Sequence, residues 1–178
     1  KNISVILARG GSKGIPNKNI IDLCGKPLIY YTIMASIMSE VTETWVSTDS
    51  VEIAAIAVDY GAKILMRPAE LCTDTASSDD ALVHFCKNVE CKNIVFIQPT
   101  SPLLTSKYIK LGLKGLQKYD SVFSGYKEHW IPRWKGWSSK EDFLMEYDWD
   151  RSNRPRRQDV TELIVENGAF YISSRESI

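Results

Sequence analysis

The segment from Leu7 to Asn19, Leu-Ala-Arg-Gly-Gly-Ser-Lys-Gly-Ile-Pro-Asn-Lys-Asn, is the part of the chain richest in chemistry. Three glycines, Gly10, Gly11 and Gly14, let the backbone turn tightly and come close to a ligand. Arg9, Lys13 and Lys18 put three cations on one loop with no acid between them. A polyphosphate needs that pairing: N–H groups to cradle its oxygens and fixed cations to neutralise its charge. The loop departs from both common phosphate signatures. No Gly-Lys-Ser/Thr follows at the spacing of G-x-x-x-x-G-K-S/T, and G-x-G-x-x-G is absent, which disfavours a dinucleotide site. The competing reading is a glycine-rich surface turn with solvated lysines.

Such a loop works only on a scaffold that fixes its ends. Residues 3–8 (Ile-Ser-Val-Ile-Leu-Ala) form a short apolar run leading into it and predict a buried first strand. Residues 27–38 carry apolar side chains at Leu28, Ile29, Tyr31, Ala35 and Met38, a helix with Pro27 at its first position. Further along, strands are expected at 43–47, 63–66, 93–98 and 121–124. Helices are expected at 51–60, ended by Gly61, at 77–89 and at 106–119. Ser77 or Ser78 caps the helix at 77–89, with Asp79 and Asp80 in its first turn. Strands alternate with helices, and the strands are apolar rather than alternating. That predicts an α/β fold: a three-layer, Rossmann-like, mostly parallel sheet with helices on both faces. Ligands of such sheets sit at the carboxyl ends of the strands, here the loops at 9–18, 47–49 and 98–104.

After Gly125 the character changes. Trp130, Trp134, Trp137 and Trp149 stand among many charges, with strand-like runs at 143–147 and 168–172. Residues 126–166 read as a β-rich arm on a single domain spanning 1–178. Its tryptophans either form the arm's own small core or pack on a second subunit; the second reading makes the protein a homodimer through this arm. Lys+Arg and Asp+Glu both number 22, so the charge balance argues against a nucleic-acid partner and any anion site must be local. Cys24, Cys72, Cys86 and Cys91 form no C-x-x-C pair and read as reduced thiols of a cytoplasmic protein (nuclear is an alternative in an animal cell). No apolar run approaches the ~20 residues of a membrane span, so no membrane partner is expected. The chain opens at Lys1 and stops at Ile178 just after a strand-like segment, and a further C-terminal portion is expected.

The run L-A-R-G-G-S-K-G-I-P-x-K-N resembles the signature of the acylneuraminate cytidylyltransferases. More blocks match in the same order: Trp45-Val46-Ser47-Thr48-Asp49, Arg67-Pro68-Ala69-Glu70-Leu71, Asp74-Thr75-Ala76-Ser77-Ser78 and Gln98-Pro99-Thr100-Ser101-Pro102-Leu103. Arg154-Pro155-Arg156-Arg157-Gln158-Asp159 and Glu166-Asn167-Gly168-Ala169-Phe170-Tyr171 complete the series, so the resemblance covers nearly the whole chain.

The resemblance implies a nucleotidyl transfer from CTP to a sialic-acid-type (nonulosonic) acid, giving a CMP-sugar and pyrophosphate. Arg9 and Lys13 would bind the phosphates, and Lys18 would face the α-phosphate; Arg9 and Lys18 are the catalytic candidates. Leu7, Ala8 and Ser12 belong to the same nucleotide loop, where Ser12 either donates to a phosphate or caps the turn. Asn19, Arg67, Ala76 and Ser78 match positions around the cytosine, although Arg67 could instead pair with Glu70 and Ser78 could only cap its helix. Asp49 either approaches the ribose or metal region or caps the next helix. Gln98, Arg157, Gln158, Asn167 and Tyr171 match positions near the sugar, whose carboxylate suits an arginine fork. The divalent cofactor implied is Mg²⁺. The family's paired metal-binding aspartates follow the E-N-G-x-F-Y block and are expected beyond Ile178, so no metal ligand is named here. Many relatives carry Arg where this chain has Leu104, and no role is assigned there. Related acids (legionaminic, pseudaminic or octulosonic) are alternative substrates, and a non-catalytic CTP- or CMP-binding module is the alternative of another class.

Overall fold

The computed structural model describes residues 1–12, 14–128, 156 and 163–178 in full, and between them the backbones of strands over 134–138 and 143–147. Lys13, Arg157, Gln158 and the side chains of Trp130, Trp134, Trp137 and Trp149 lie outside the described residues. The chain divides into two compact units, one formed by Lys1–Ser124 with Gly168–Ile178 and the other by Gly125–Asn167.

The main sheet grows outward from β1 (Asn2–Leu7). β4 (Glu43–Thr48) and β6 (Asn93–Ile97) flank it in parallel, with Val5 opposite both Trp45 and Phe96. β5 (Lys63–Met66) extends the sheet in parallel beyond β4. β10 (Leu163–Ser174) adds to β6 antiparallel, and β7 (Ser121–Glu128) lies beside β10. The six-stranded order is thus β5-β4-β1-β6-β10-β7. The chain walks from β1 to β5 on one side, then returns to place β6 on the other side of β1. That reversal opens a crevice at the carboxyl ends of β1 and β6.

Both faces of the sheet are covered. Helices α1 (Leu28–Ile37), α2 (Val51–Asp59) and α4 (Ser106–Gly115) bury Ile29, Ile33, Ile53, Ala57, Ile109 and Leu113 against Ile6, Val46, Val95, Ile97, Phe170 and Ile172. α3 (Ser78–Asn88) covers the opposite face, packing Leu82, Phe85 and Cys86 on Ile3, Val5, Ile94 and Phe96. A strand buried on both sides has no polar face to show, which is why β1 and β6 read as mostly apolar runs. Three of the buried hydroxyls satisfy one another, Ser36 of α1 bonding both Ser4 and Thr44, and the Thr32 hydroxyl donates to the Ile29 carbonyl.

The element boundaries differ from expectation in small, explicable ways. Pro27 is the N-cap of α1 rather than its first residue, because it pairs with Asp22 in a short hairpin of β2 (Asp22–Leu23) and β3 (Lys26–Pro27). Cys24 and Gly25 turn that hairpin with φ of 53° and 81°. Two-residue hairpin turns favour such positive angles, and Asn-Gly announces them far better than Cys-Gly does. In the second unit, β8 (Trp134–Ser138) pairs antiparallel with β9 (Phe143–Tyr147). β8 is not evident in the sequence, because Lys135 and Gly136 break the run between its two tryptophans.

Candidate functional site

The crevice at the ends of β1 and β6 is a cavity of about 600 Å³. Each wall comes from a loop that follows a strand. After β1, the glycine loop contributes Leu7, Arg9, Ser12 and Gly14, and the 3-10 turn Lys18–Ile20 contributes Lys18 and Asn19. After β5 come Arg67 and the turn leading into α3, with Ala76, Ser77 and Ser78. Gln98, Pro99 and Thr100 close the side next to β6.

The loop is pinned at several points. Gly10 donates its N–H to Asp49 Oδ1 at 2.8 Å, and Ser12 N–H closes a tight turn on the Gly10 carbonyl at 3.0 Å. A Cβ on Gly10 would stand 3.1 Å from Ser50 Cβ, a tight contact that glycine avoids where the loop approaches the start of α2. Ser50, not Asp49, caps α2, accepting from Ile53 N–H. Asp49 therefore braces the loop and is not the helix cap.

Arg9 pairs with Asp74 at 2.9 Å and reaches the Cys72 carbonyl at 3.5 Å. Asn19 is 4% exposed; its Nδ2 donates to the Arg9 carbonyl at 2.9 Å, while its Oδ1 is buried with no partner. A buried acceptor left unmade costs free energy, and this one belongs to a residue lining the cavity. Arg67 is 8% exposed. Its backbone N–H donates to the Thr48 carbonyl at 2.8 Å and its Nε to Cys72 Sγ at 3.1 Å. The expected alternative partner, Glu70, is not what holds it. Burial pushes the Cys72 thiol up; the nearby Arg67 charge opposes that rise and the Asp49 carboxylate adds to it.

Ser77 caps α3, accepting from Asp80 N–H at 3.0 Å and donating to Asp80 Oδ2 at 2.8 Å. Ser78 is thereby spared the capping role and lines the cavity as the first residue of the helix.

Gln98 also lines a second, smaller cavity of about 400 Å³ on the α3 side of the sheet, together with Tyr171, Ser78 and Leu82. Tyr171 stacks on Phe96, with ring centroids 6.0 Å apart and planes 22° apart. Gln98 donates its backbone N–H to the Ala169 carbonyl at 3.0 Å, which ties the end of β6 to β10.

The main cavity thus brings together Leu7, Arg9, Ser12, Lys18, Asn19, Arg67, Ala76, Ser78 and Gln98. The Ala8 side chain is fully buried in the core on the α1 side and is not among the residues lining the cavity, and its N–H pairs with the Ser47 carbonyl. Ala8 directly follows Leu7 at the end of β1, and successive strand positions point to opposite faces. Asn167 is exposed and belongs to the second unit. Asp74, Leu71 and Thr73 line the cavity without having been singled out. Only Asp74 carried a sequence signal, an acid standing at the head of the block that leads into α3.

A family model described as cytidylyltransferase matches residues 3–159. The chain belongs to the cytidylyltransferase family. It is 43% identical over 180 residues to N-acylneuraminate cytidylyltransferase A of Danio rerio, covering 98% of this chain and 42% of that protein. It is 37% identical over 185 residues to the N-acylneuraminate cytidylyltransferase of Streptococcus agalactiae serotype V, covering 99% and 44%. With the pseudaminic acid cytidylyltransferase of Campylobacter jejuni it shares 32% identity over 185 residues, covering 99% of this chain and 80% of that one. Among solved structures, a CMP:2-keto-3-deoxy-manno-octonic acid synthetase complexed with CTP superposes with a TM-score of 0.75 at 22% identity, over 99% of this chain and 75% of the other. That likeness carries the α/β, mostly parallel fold. The chain spans about two fifths of the length of the N-acylneuraminate relatives, 42% and 44% in the two cases given.

Among the described residues, no helix is long and apolar enough to cross a membrane.

Proposed function

We propose that this chain binds CTP in the crevice between β1 and β6 and serves an enzyme that transfers CMP to a sialic-acid-type sugar, releasing pyrophosphate. The observation that carries the reading is the meeting, in one cavity at the strand-order reversal, of the glycine loop with Arg9 and Lys18 on one side and Arg67, Ala76 and Ser78 on the other. The first set suits a polyphosphate and the second a base edge. Arg67 keeps two Nη groups for a ligand once its Nε is spent on Cys72, and cytosine offers adjacent acceptors to such a fork. The small side chains of Ala76 and Ser78 let a flat ring come close.

In the reaction, the sugar's anomeric hydroxyl attacks the α-phosphorus in line and pyrophosphate leaves. Lys18 and Arg9 would stabilise the charge that builds on the phosphoryl oxygens, and being fixed in advance they lower the barrier electrostatically. No covalent enzyme intermediate is needed. Gln98 and Tyr171, with Arg157, Gln158 and Asn167, are proposed for the sugar acid. Magnesium enters as the counter-ion of the triphosphate. No group of three or more His, Cys, Asp or Glu side chains able to hold a metal ion occurs among the described residues, so no step is assigned to it. A homodimer formed through residues 126–166 and a cytoplasmic location complete the proposal.

N-acylneuraminate is the preferred acid, on the 43% identity to the Danio rerio protein. The likeness to a pseudaminic acid cytidylyltransferase, over four fifths of that protein, keeps a related nonulosonate as the second reading. Calorimetry with CTP, followed by pyrophosphate release with Mg²⁺ over N-acylneuraminic, legionaminic, pseudaminic and octulosonic acids, tests both. Turnover of N-acylneuraminate first is expected. Exclusive use of an octulosonic acid overturns the choice, and CTP binding without any turnover points to a binding module.

A further inference from the structure

Two side chains of the nucleotide cavity, Arg67 and Arg9, and the loop brace Asp49 converge on one residue outside the lining. Cys72 Sγ accepts from Arg67 Nε at 3.1 Å, the Cys72 carbonyl lies 3.5 Å from Arg9 Nη1, and the Asp49 carboxylate faces the same thiol. Arg67 is more than nine-tenths buried, and the sulfur is its one side-chain partner among the described residues. A buried guanidinium is ordinarily matched by a carboxylate, which fixes its direction but also takes up its charge. A thiol fixes direction alone. It is a weak, neutral acceptor, so the two Nη groups keep their full charge for whatever enters the cavity. The cavity itself is built for a ligand, since Asn19 lines it with a buried and unpartnered Oδ1.

We propose that Cys72 is a positioning residue for cytidine recognition, holding the Arg67 guanidinium by its Nε so that the remaining fork meets the base edge. The inference rests on the reading of Arg67 as the base-recognising side chain. It separates the two halves of nucleotide binding. Arg67 is aimed by the sulfur of Cys72, whereas Arg9 has Asp74 as its main partner. Loss of the thiol therefore weakens base recognition and leaves phosphate binding in place.

The test is calorimetry on the full chain with CTP, UTP and inorganic triphosphate, for the wild type, Cys72→Ala and Cys72→Ser. The wild type is expected to bind CTP more tightly than UTP. Cys72→Ala should weaken CTP about tenfold, with UTP and inorganic triphosphate changed less than about twofold, as the loss of one hydrogen bond to a charged group implies. Cys72→Ser, which restores an acceptor, should recover most of the loss. Should the Ala variant fail to fold, Cys72→Val fills the volume without an acceptor and must show the same selective loss. Unchanged CTP binding in Cys72→Ala overturns the proposal. So does a parallel loss of CTP and inorganic triphosphate, the mark of a merely structural role. A wild type that binds CTP and inorganic triphosphate equally well overturns the assignment of Arg67 instead, and the inference falls with it.

Discussion

Asn19→Leu separates a side chain kept for a ligand from one kept for the fold. In the free protein, Asn19 makes one good bond, Nδ2 to the Arg9 carbonyl, and leaves Oδ1 buried without a partner. Leucine is nearly isosteric and removes both groups. The lost neutral hydrogen bond costs about 1 kcal/mol, and the relief of an unmade buried acceptor returns about 1–3 kcal/mol. The net lies between no change and a gain of about 2 kcal/mol, so stability should not fall and Tm should rise by at most about 8 °C for a chain of this size. Binding has no such offset. The acceptor waiting in the cavity disappears and an apolar group takes its place against a polar base, so CTP affinity should fall at least about tenfold. Thermal melts with and without CTP, backed by calorimetry, read both quantities at once. A variant that loses more than about 2 kcal/mol of stability yet binds CTP normally would refute the reasoning and make Asn19 a structural residue.

Other perturbations test neighbouring parts of the structure. Gly112→Ala would place a Cβ 2.6 Å from Ile172 Cδ1 and 2.9 Å from Phe170 Cε2; overpacking of about 1–3 kcal/mol should outweigh the helix gain of about 1 kcal/mol, giving a net loss in denaturant titration. Cys24→Asn should stabilise by about 0.5–1 kcal/mol, because asparagine tolerates the positive φ of this hairpin turn better than cysteine. Hydrogen bonds from Lys63 and Trp45 hold the Glu43 carboxyl below its ordinary value of 4.5. The folded state therefore binds fewer protons than the unfolded one there. The contribution is full at neutral pH and is lost as pH falls through the folded pKa, so the stability gap between wild type and Glu43→Gln should close on acidification from about pH 5 to about pH 3. Burial pushes the Cys86 and Cys91 thiols up, whereas Cys24 is exposed; peptide mapping after brief alkylation at neutral pH should find Cys24 modified well ahead of both.

The central strands of the sheet were legible because burial on both faces leaves a mostly apolar pattern, as in residues 94–97. Helix starts were legible where a cap stood beside acids, as at Ser77 with Asp79 and Asp80. What escaped was set by geometry without a local composition signal. The β2–β3 turn uses a cysteine at positive φ, and Ala8 turns into the core while both its neighbours, Leu7 and Arg9, reach the cavity. The site was legible where a motif names chemistry directly, as with Arg9, Lys18 and Arg67. Asp49 and Asp74 were visible as acids, but their work as braces depends on partners 39 and 65 positions away in the chain, Gly10 and Arg9. Cys72 gave no signal at all, since a lone cysteine in a turn has no pattern that marks it as an acceptor.

The distribution of acids around the crevice has an energetic logic. Asp74 neutralises Arg9 at the open side, where both side chains are more than a third exposed, 35% and 40%. Such a pair is worth about 0–1 kcal/mol, so an entering polyphosphate can take its place at little cost. Arg67 lies deep, and a carboxylate there would have formed a pair whose disruption costs about 3–5 kcal/mol. A ligand would have had to meet that cost before gaining anything. The thiol avoids that direct pair, leaving a buried cation directed without a carboxylate on its own Nε, and the open acceptor of Asn19 is a second unmet group in the same cavity. Local rules are broken where function requires it, and here both breaches are of a kind that a base edge carrying donors and acceptors together would repair.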